Sequence, residues 1–133
     1  MRKSGILLTM LLFLSVTACH HDKAYNMGEI AAVAAKNYYD ELLQGHYDEY
    51  VDGTFYRDSI PDVYRRQLIA NAKMFIGQQN EEHQGIKEIS ISHATADTTQ
   101  CTADVFLVLK YGDKTKEKIV VPMIECHGKW KMK

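Results

Sequence analysis

Three cysteines, six histidines and eight tyrosines carry most of the chemical reach of this 133-residue chain. Their spacing fits none of the common metal frames, because neither H-E-x-x-H nor CxxC occurs. His20-His21-Asp22 can catch a cation weakly, but it reads better as a polar linker. Cys126 and His127 are neighbours at a predicted strand end, where successive side chains point to opposite faces, so shared ligation is not expected. No metal site and no cofactor are expected. A nucleophile elbow, a glycine-rich phosphate loop and paired catalytic carboxylates are missing as well. Asp40-Glu41 and Glu81-Glu82 are adjacent acids on predicted helices and read as solvated faces.

The tyrosines leave one chemical option open. Seven of them lie between positions 25 and 64. Tyr38, Tyr50, Tyr56 and Tyr64 can line a pocket between helices and a sheet, with phenols as oxyanion donors. His93 and Asp104, on predicted strands, are the candidate bases. The ligand-pocket set is thus Tyr38, Tyr50, Tyr64, His93 and Asp104. The alternative is that the tyrosines are amphipathic wall residues with wet hydroxyls. No catalytic residue is assigned.

These residues have to be placed by the elements around them, and the N-terminus comes first. Arg2 and Lys3 precede an apolar run from Ile6 to Leu14, interrupted only by Thr9. That run is far shorter than the roughly 20 residues needed to span a bilayer, and has signal-peptide length. It leads to Val16-Thr17-Ala18-Cys19, which resembles the lipobox of bacterial lipoproteins. The resemblance implies cleavage before Cys19 and a diacylglycerol on its sulfur. It also implies membrane lipid as a partner and residence at the bacterial cell envelope, the outer membrane or a periplasm-facing site being favoured over the inner membrane. Each buried methylene is worth about 0.8 kcal/mol, so two or three chains hold firmly. The expected organisation is a signal peptide over 1–18, a lipidated tether over 19–25 and one domain over 26–133.

Within that domain, Asn26 and Glu29 have capping-box spacing for a first helix. Ile30, Val33, Ala34, Tyr38, Glu41 and Leu42 follow helical spacing, and Gly45 ends it. A short helix over His46 to Asp52 follows, then a third beginning after Ser59, with Tyr64, Leu68, Ala72, Phe75 and Ile76 on its apolar face. From Ile86 the period becomes two. Strands are expected around Ile89 and Ile91, from Thr102 to Tyr111, from Glu117 to Cys126 and from Lys129 to Met132. The class is α+β, with N-terminal helices packed on a curved antiparallel meander of about four strands. Pro122 falls inside a strand and calls for a bulge or an unpaired edge. Trp130 is expected to plug the core at the sheet end.

The long hairpin is apolar on both faces, so a second subunit or strong curvature has to shield the outer one. A homodimer through the sheet face is one expectation. Cys101 and Cys126 follow an export signal and share strand parity, so a disulfide is expected, with buried free thiols as the alternative. A two-residue turn at Gly112-Asp113 makes them diagonal neighbours. A bulge at Pro122 or a four-residue loop brings them level. Closing a loop of this length is worth about 3 kcal/mol in the chain-entropy model.

Two stretches carry a wider resemblance. One is Ala35 to Val51, where an amphipathic helix runs through Leu42-Leu43-Gln44-Gly45-His46-Tyr47 into a second helix. The other is Gly128-Lys129-Trp130-Lys131 after a long hairpin. With the order of elements, residues 26–133 resemble the cystatin-like or nuclear-transport-factor-like α+β cone. More narrowly, they resemble small secreted bacterial lipoproteins of an uncharacterised lumazine-binding-like family. That superfold hosts non-catalytic domains as well as ketosteroid isomerases and dehydratases, and fold alone does not choose. Nucleic-acid binding is excluded on charge: without Arg2 and Lys3 the formal charge falls from −1 to about −3. The expected function is a non-catalytic module at the envelope that binds a small ligand or another envelope protein. A small isomerase- or dehydratase-like enzyme is the alternative.

Overall fold

In a computed structural model, residues 19–133 are described, with side chains from 26 onward. The expected signal peptide over 1–18 and the side chain of Cys19 lie outside the described residues. Three helices, α1 (Cys19–Leu43), α2 (Tyr47–Asp52) and α3 (Asp62–His83), precede four strands. These are β1 (Ile86–Asp97), β2 (Thr102–Tyr111), β3 (Lys116–Cys126) and β4 (Lys129–Met132), paired antiparallel in the order β1-β2-β3-β4. The sheet is an open meander with α1 packed on its inner face, which is the α+β class read from the sequence. No helix among the described residues is long and apolar enough to cross a membrane.

α1 differs from its expected form in two ways. It begins at Cys19 rather than near Asn26. Neither glycine nor proline occurs between Cys19 and Asn26, so nothing in the backbone stops the helix from running through the expected tether. Its buried face is also rotated. Ala31, Ala32, Ala35 and Leu42 are buried, whereas Ile30 and Val33 are 51% and 53% exposed. Small residues win this face because they let the helix come close to the sheet: a Cβ on Gly28 would stand only 3.5 Å from the Ala94 carbonyl oxygen. The helix ends as predicted. Gly45 takes φ +84°, His46 N donates to Glu41 O at 2.9 Å and Gly45 N to Leu42 O at 3.2 Å.

α3 begins at Asp62, behind Pro61, not after Ser59. It buries only Ala72. Its far end is tied to the β2–β3 hairpin tip. Gly112 N donates to Gly85 O at 2.8 Å and Asp113 N to His83 O at 3.0 Å. His83 stacks on Tyr111 with ring centroids 4.4 Å apart, and its Nδ1 lies 3.0 Å from Asp113 Oδ2. Tyr111 donates to Glu117 at 2.5 Å, and burial, reinforced by that carboxylate, pushes its phenol up to about 12.

Alternation along β2 directs Ala103, Val105, Leu107, Leu109 and Tyr111 inward, where they meet Val121 and Met123 of β3. On β1 a bulge between Ile91 and His93 re-phases the strand, so Ala94 faces inward with Ile89 and His93 pairs with Phe106 on the outer face. Pro122 causes no bulge. It stays in register with Asp104 just where β4 runs out, and its carbonyl accepts Lys133 N at 2.8 Å. Its nitrogen faces the same side as that carbonyl, where the β3–β4 ladder ends, so the missing N–H interrupts no internal rung. Trp130 is buried at the sheet end, 7% exposed.

The expected disulfide between Cys101 and Cys126 is overturned; both thiols are free. The reason is loop length. The hairpin pairs Lys110 with Lys116 and Ala103 with Met123, so the connection has three residues between Tyr111 and Thr115, with Lys114 at φ +72°. Cys101 then falls opposite Glu125, whose N–H donates to its carbonyl at 2.9 Å. A one-residue shift sends Cys101 and Cys126 to opposite faces. Intact mass of the protein, isolated without reductant, should show no two-hydrogen loss. Exposed Cys101 should alkylate faster than half-buried Cys126. An intramolecular crosslink would refute the register.

Asp113 accepts from the Thr115 hydroxyl, its backbone N–H and His83, which together hold its carboxyl down at about 2. A carboxyl depressed in the fold stabilises it above the unfolded value of about 3.9, and that contribution fades as pH falls toward about 2. Asp113→Asn should therefore reduce the loss of stability between about pH 4 and pH 2, measured by denaturant unfolding at stepped pH.

Candidate functional site

After α2 the chain turns at Gly53 and lies against β4. Met132 N donates to Gly53 O at 2.8 Å, Phe55 N donates to Met132 O at 2.7 Å, and Thr54 forms a parallel bridge with Met132. This docking leaves an open groove of about 410 Å³ between the α2–α3 connection and the β3–β4 turn. Asp52, Thr54, Phe55, Tyr56, Cys126, His127, Lys129 and Lys131 line it.

The electrostatics of the groove are set by one bidentate pair. Arg65 donates through Nε and Nη2 to the two carboxylate oxygens of Asp52, at 2.9 and 2.8 Å. That guanidinium keeps the Asp52 carboxyl below its ordinary value. Lys131 donates to the Asp52 backbone carbonyl at 2.9 Å, with its ammonium 6.0 Å from the Tyr38 ring centroid. With Asp52 matched by Arg65, the ammonium groups of Lys129 and Lys131 give the groove a net positive charge. Phe55 and Tyr56 supply apolar wall, and burial raises the Tyr56 phenol. Such a lining suits a small anionic molecule with an apolar part. Cys126 and His127 border the same groove, contrary to the expectation from strand alternation. His127 is a turn residue at φ +51°, not a strand residue.

The five residues proposed from sequence are spread over three regions. Tyr38 lies half-buried on α1 and donates its hydroxyl to Trp130 O at 2.7 Å. Burial raises its phenol. Tyr50 packs edge-on against Tyr39 with centroids 5.5 Å apart, and burial raises both phenols. Tyr64 is 49% exposed on α3. His93 stacks on Phe106 at 4.2 Å on the outer sheet face. Asp104 is exposed one pair further along that face, beside a shallow hollow of about 180 Å³. The structure thus packs Tyr38 and Tyr50 against the core on the inner side, and leaves His93 with Asp104 outside.

Sequence reasoning missed the lysines of the groove, because they become neighbours of Asp52 only when the connection docks on β4. It also missed the cluster with metal-ligand composition among the described residues, Glu41, His46 and Glu49. That cluster was legible in principle, since a glycine-ended helix brings its last turn beside the residue after the glycine.

Comparison with known proteins gives a fold and no family. No protein-family model matches the chain. No curated protein matches it significantly. A crystal structure from Campylobacter jejuni, described provisionally as an NTF2-like transpeptidase, superposes with a TM-score of 0.60 at 15% identity. The match covers 74% of this chain and 92% of that one. The fold is NTF2-like. In NTF2-like terms the groove sits at the rim of the sheet, beside the end of α2, and not beneath α1.

Gly53 has no room for a side chain, because a Cβ there would run into the Tyr38 ring. Gly53→Ala should displace that ring and break its bond to Trp130. Tyr38→Phe should cost about 0.5–1.5 kcal/mol by removing the same hydrogen bond. Equilibrium unfolding of both variants and their double should give a total below the sum of the singles. Strict additivity would uncouple the two residues.

Proposed function

We propose that the chain is a lipid-anchored envelope protein whose NTF2-like domain is a non-catalytic binding module, with the rim groove as its ligand site. The observation that carries this reading is the filled interior. Leu42, Val105, Leu107, Leu109 and Met123 are each at most 2% exposed and occupy the space under α1 with the chain's own side chains. The residues buried among the described ones are apolar, and none is polar or charged. The isomerase-like alternative asks for a base facing a phenol in that space. Tyr38 spends its hydroxyl on Trp130, while His93 and Asp104 lie on the other face of the sheet. The transpeptidase name belongs to the Campylobacter jejuni protein, and nothing of its chemistry is carried over.

Anchoring rests on Val16-Thr17-Ala18-Cys19 and the run before it. A sheet-face dimer remains part of the proposal, supported by Val120, 51% exposed on the outer face. Two experiments test the reading. Cys19→Ala should leave an uncut precursor or release the protein from membranes in fractionation, and normal processing with unchanged retention would refute the anchor. Native mass spectrometry of the protein from its own host should find a retained small anionic molecule, lost in Lys129→Glu/Lys131→Glu. A retained molecule indifferent to those charges, or none at all, would remove the groove as its site.

A further inference from the structure

Away from the groove, three side chains with metal-ligand chemistry converge at the corner between α1 and α2. Glu41 lies in the last turn of α1, His46 immediately precedes α2 and Glu49 is in its first turn. His46 Nδ1 is 2.5 Å from Glu41 Oε2 and 3.8 Å from Glu49 Oε2. One donor atom from each residue lies within 4.8 Å of the other two. The backbone holds this arrangement without help from the side chains. His46 N donates to Glu41 O at 2.9 Å, Tyr50 N donates to His46 O at 3.1 Å, and Gly45 reverses the chain at φ +84°.

Donors around one zinc ion at about 2.0–2.2 Å stand roughly 3.4 Å apart in a tetrahedron. The two observed separations from His46 straddle that value, so small side-chain rotations bring the set to a common centre. Charge points the same way. Among the described ion pairs no lysine or arginine reaches Glu41 or Glu49, and Lys36 is taken by Asp40 at 2.6 Å. Two carboxylates therefore share one imidazole between them. One nitrogen and two oxygens favour a borderline cation over calcium or magnesium, which want six or more oxygens or a water-rich octahedron.

We propose that Glu41, His46 and Glu49 form a binding site for a divalent transition-metal cation of the zinc class, with water completing its coordination. The cation ties the last turn of α1 to the first turn of α2. The site is separate from the groove, and either reading can fail without the other.

The test uses the whole chain with His20→Ala and His21→Ala, which removes the imidazoles of the N-terminal segment. Zinc chloride is titrated calorimetrically, and cobalt(II) is followed by its visible absorption. One ion per chain is expected, with cobalt bands of tetrahedral intensity. His46→Ala should abolish them. Glu41→Gln and Glu49→Gln should each weaken binding by at least about tenfold, since even groups behind the ligands tune affinity by about 10–100-fold. In the unsubstituted histidine-46 protein, substoichiometric manganese(II) should broaden amide resonances of residues 41–49 first. Absence of binding, unchanged affinity in His46→Ala, or broadening centred on Cys126 and His127 would overturn the assignment.

Discussion

One face of one sheet has to be kept dry, and a single helix does most of that work. Val105, Leu107, Leu109 and Met123 have almost no contact with water, and α1 lies across them through Ala31, Ala32, Ala35 and Leu42. The helix can lie that close only because its contact stripe is small. Each of these residues gives up transfer free energy of its own to gain many short contacts between larger neighbours. The consequence reaches the far end of the molecule. With α1 set so low, Tyr38 reaches Trp130, Gly53 tucks under the Tyr38 ring, and the α2–α3 connection docks on β4 to make the groove wall.

Local periodicity made much of this fold legible and said little about its offsets. The alternation from Thr102 to Tyr111 is a strong signal, and β2 and β4 stand where the pattern puts them. Gly45 marked the end of α1 because its conformation is costly for any other residue. The inward face of α1 is not the one its bulky apolar residues mark, because Ile30 and Val33 point outward and alanines decide the contact. The hairpin was harder still. Gly112-Asp113 is compatible with a two-residue turn, and nothing about Lys114 announces that it will adopt a left-handed backbone. That single extra residue reverses the relation between Cys101 and Cys126.

Functional residues were less accessible than strands for a related reason. Residue type singles out the tyrosines, and type does not say which hydroxyl will find a backbone carbonyl. His93 and Asp104 went to the outer face through strand parity and one bulge, a detail set by tertiary fit. The groove depends on contacts between residues 52–56 and 126–132, far apart in sequence. Its charge depends on Arg65, which reaches back thirteen residues to hold Asp52. Only the Glu41–His46–Glu49 corner is built from short-range rules.

Pro122 also governs how the sheet edge behaves toward another copy of itself. β3 outruns β4, so the stretch from Lys116 to Val121, closed by Pro122, is a bare rim of the sheet, the kind of template on which a neighbouring chain can polymerise. There the proline removes a donor, and exposed Lys116 and Lys118 repel an identical rim. The opposite rim is interrupted by two bulges along β1. Two identical rims would thus meet without zippering into ribbons.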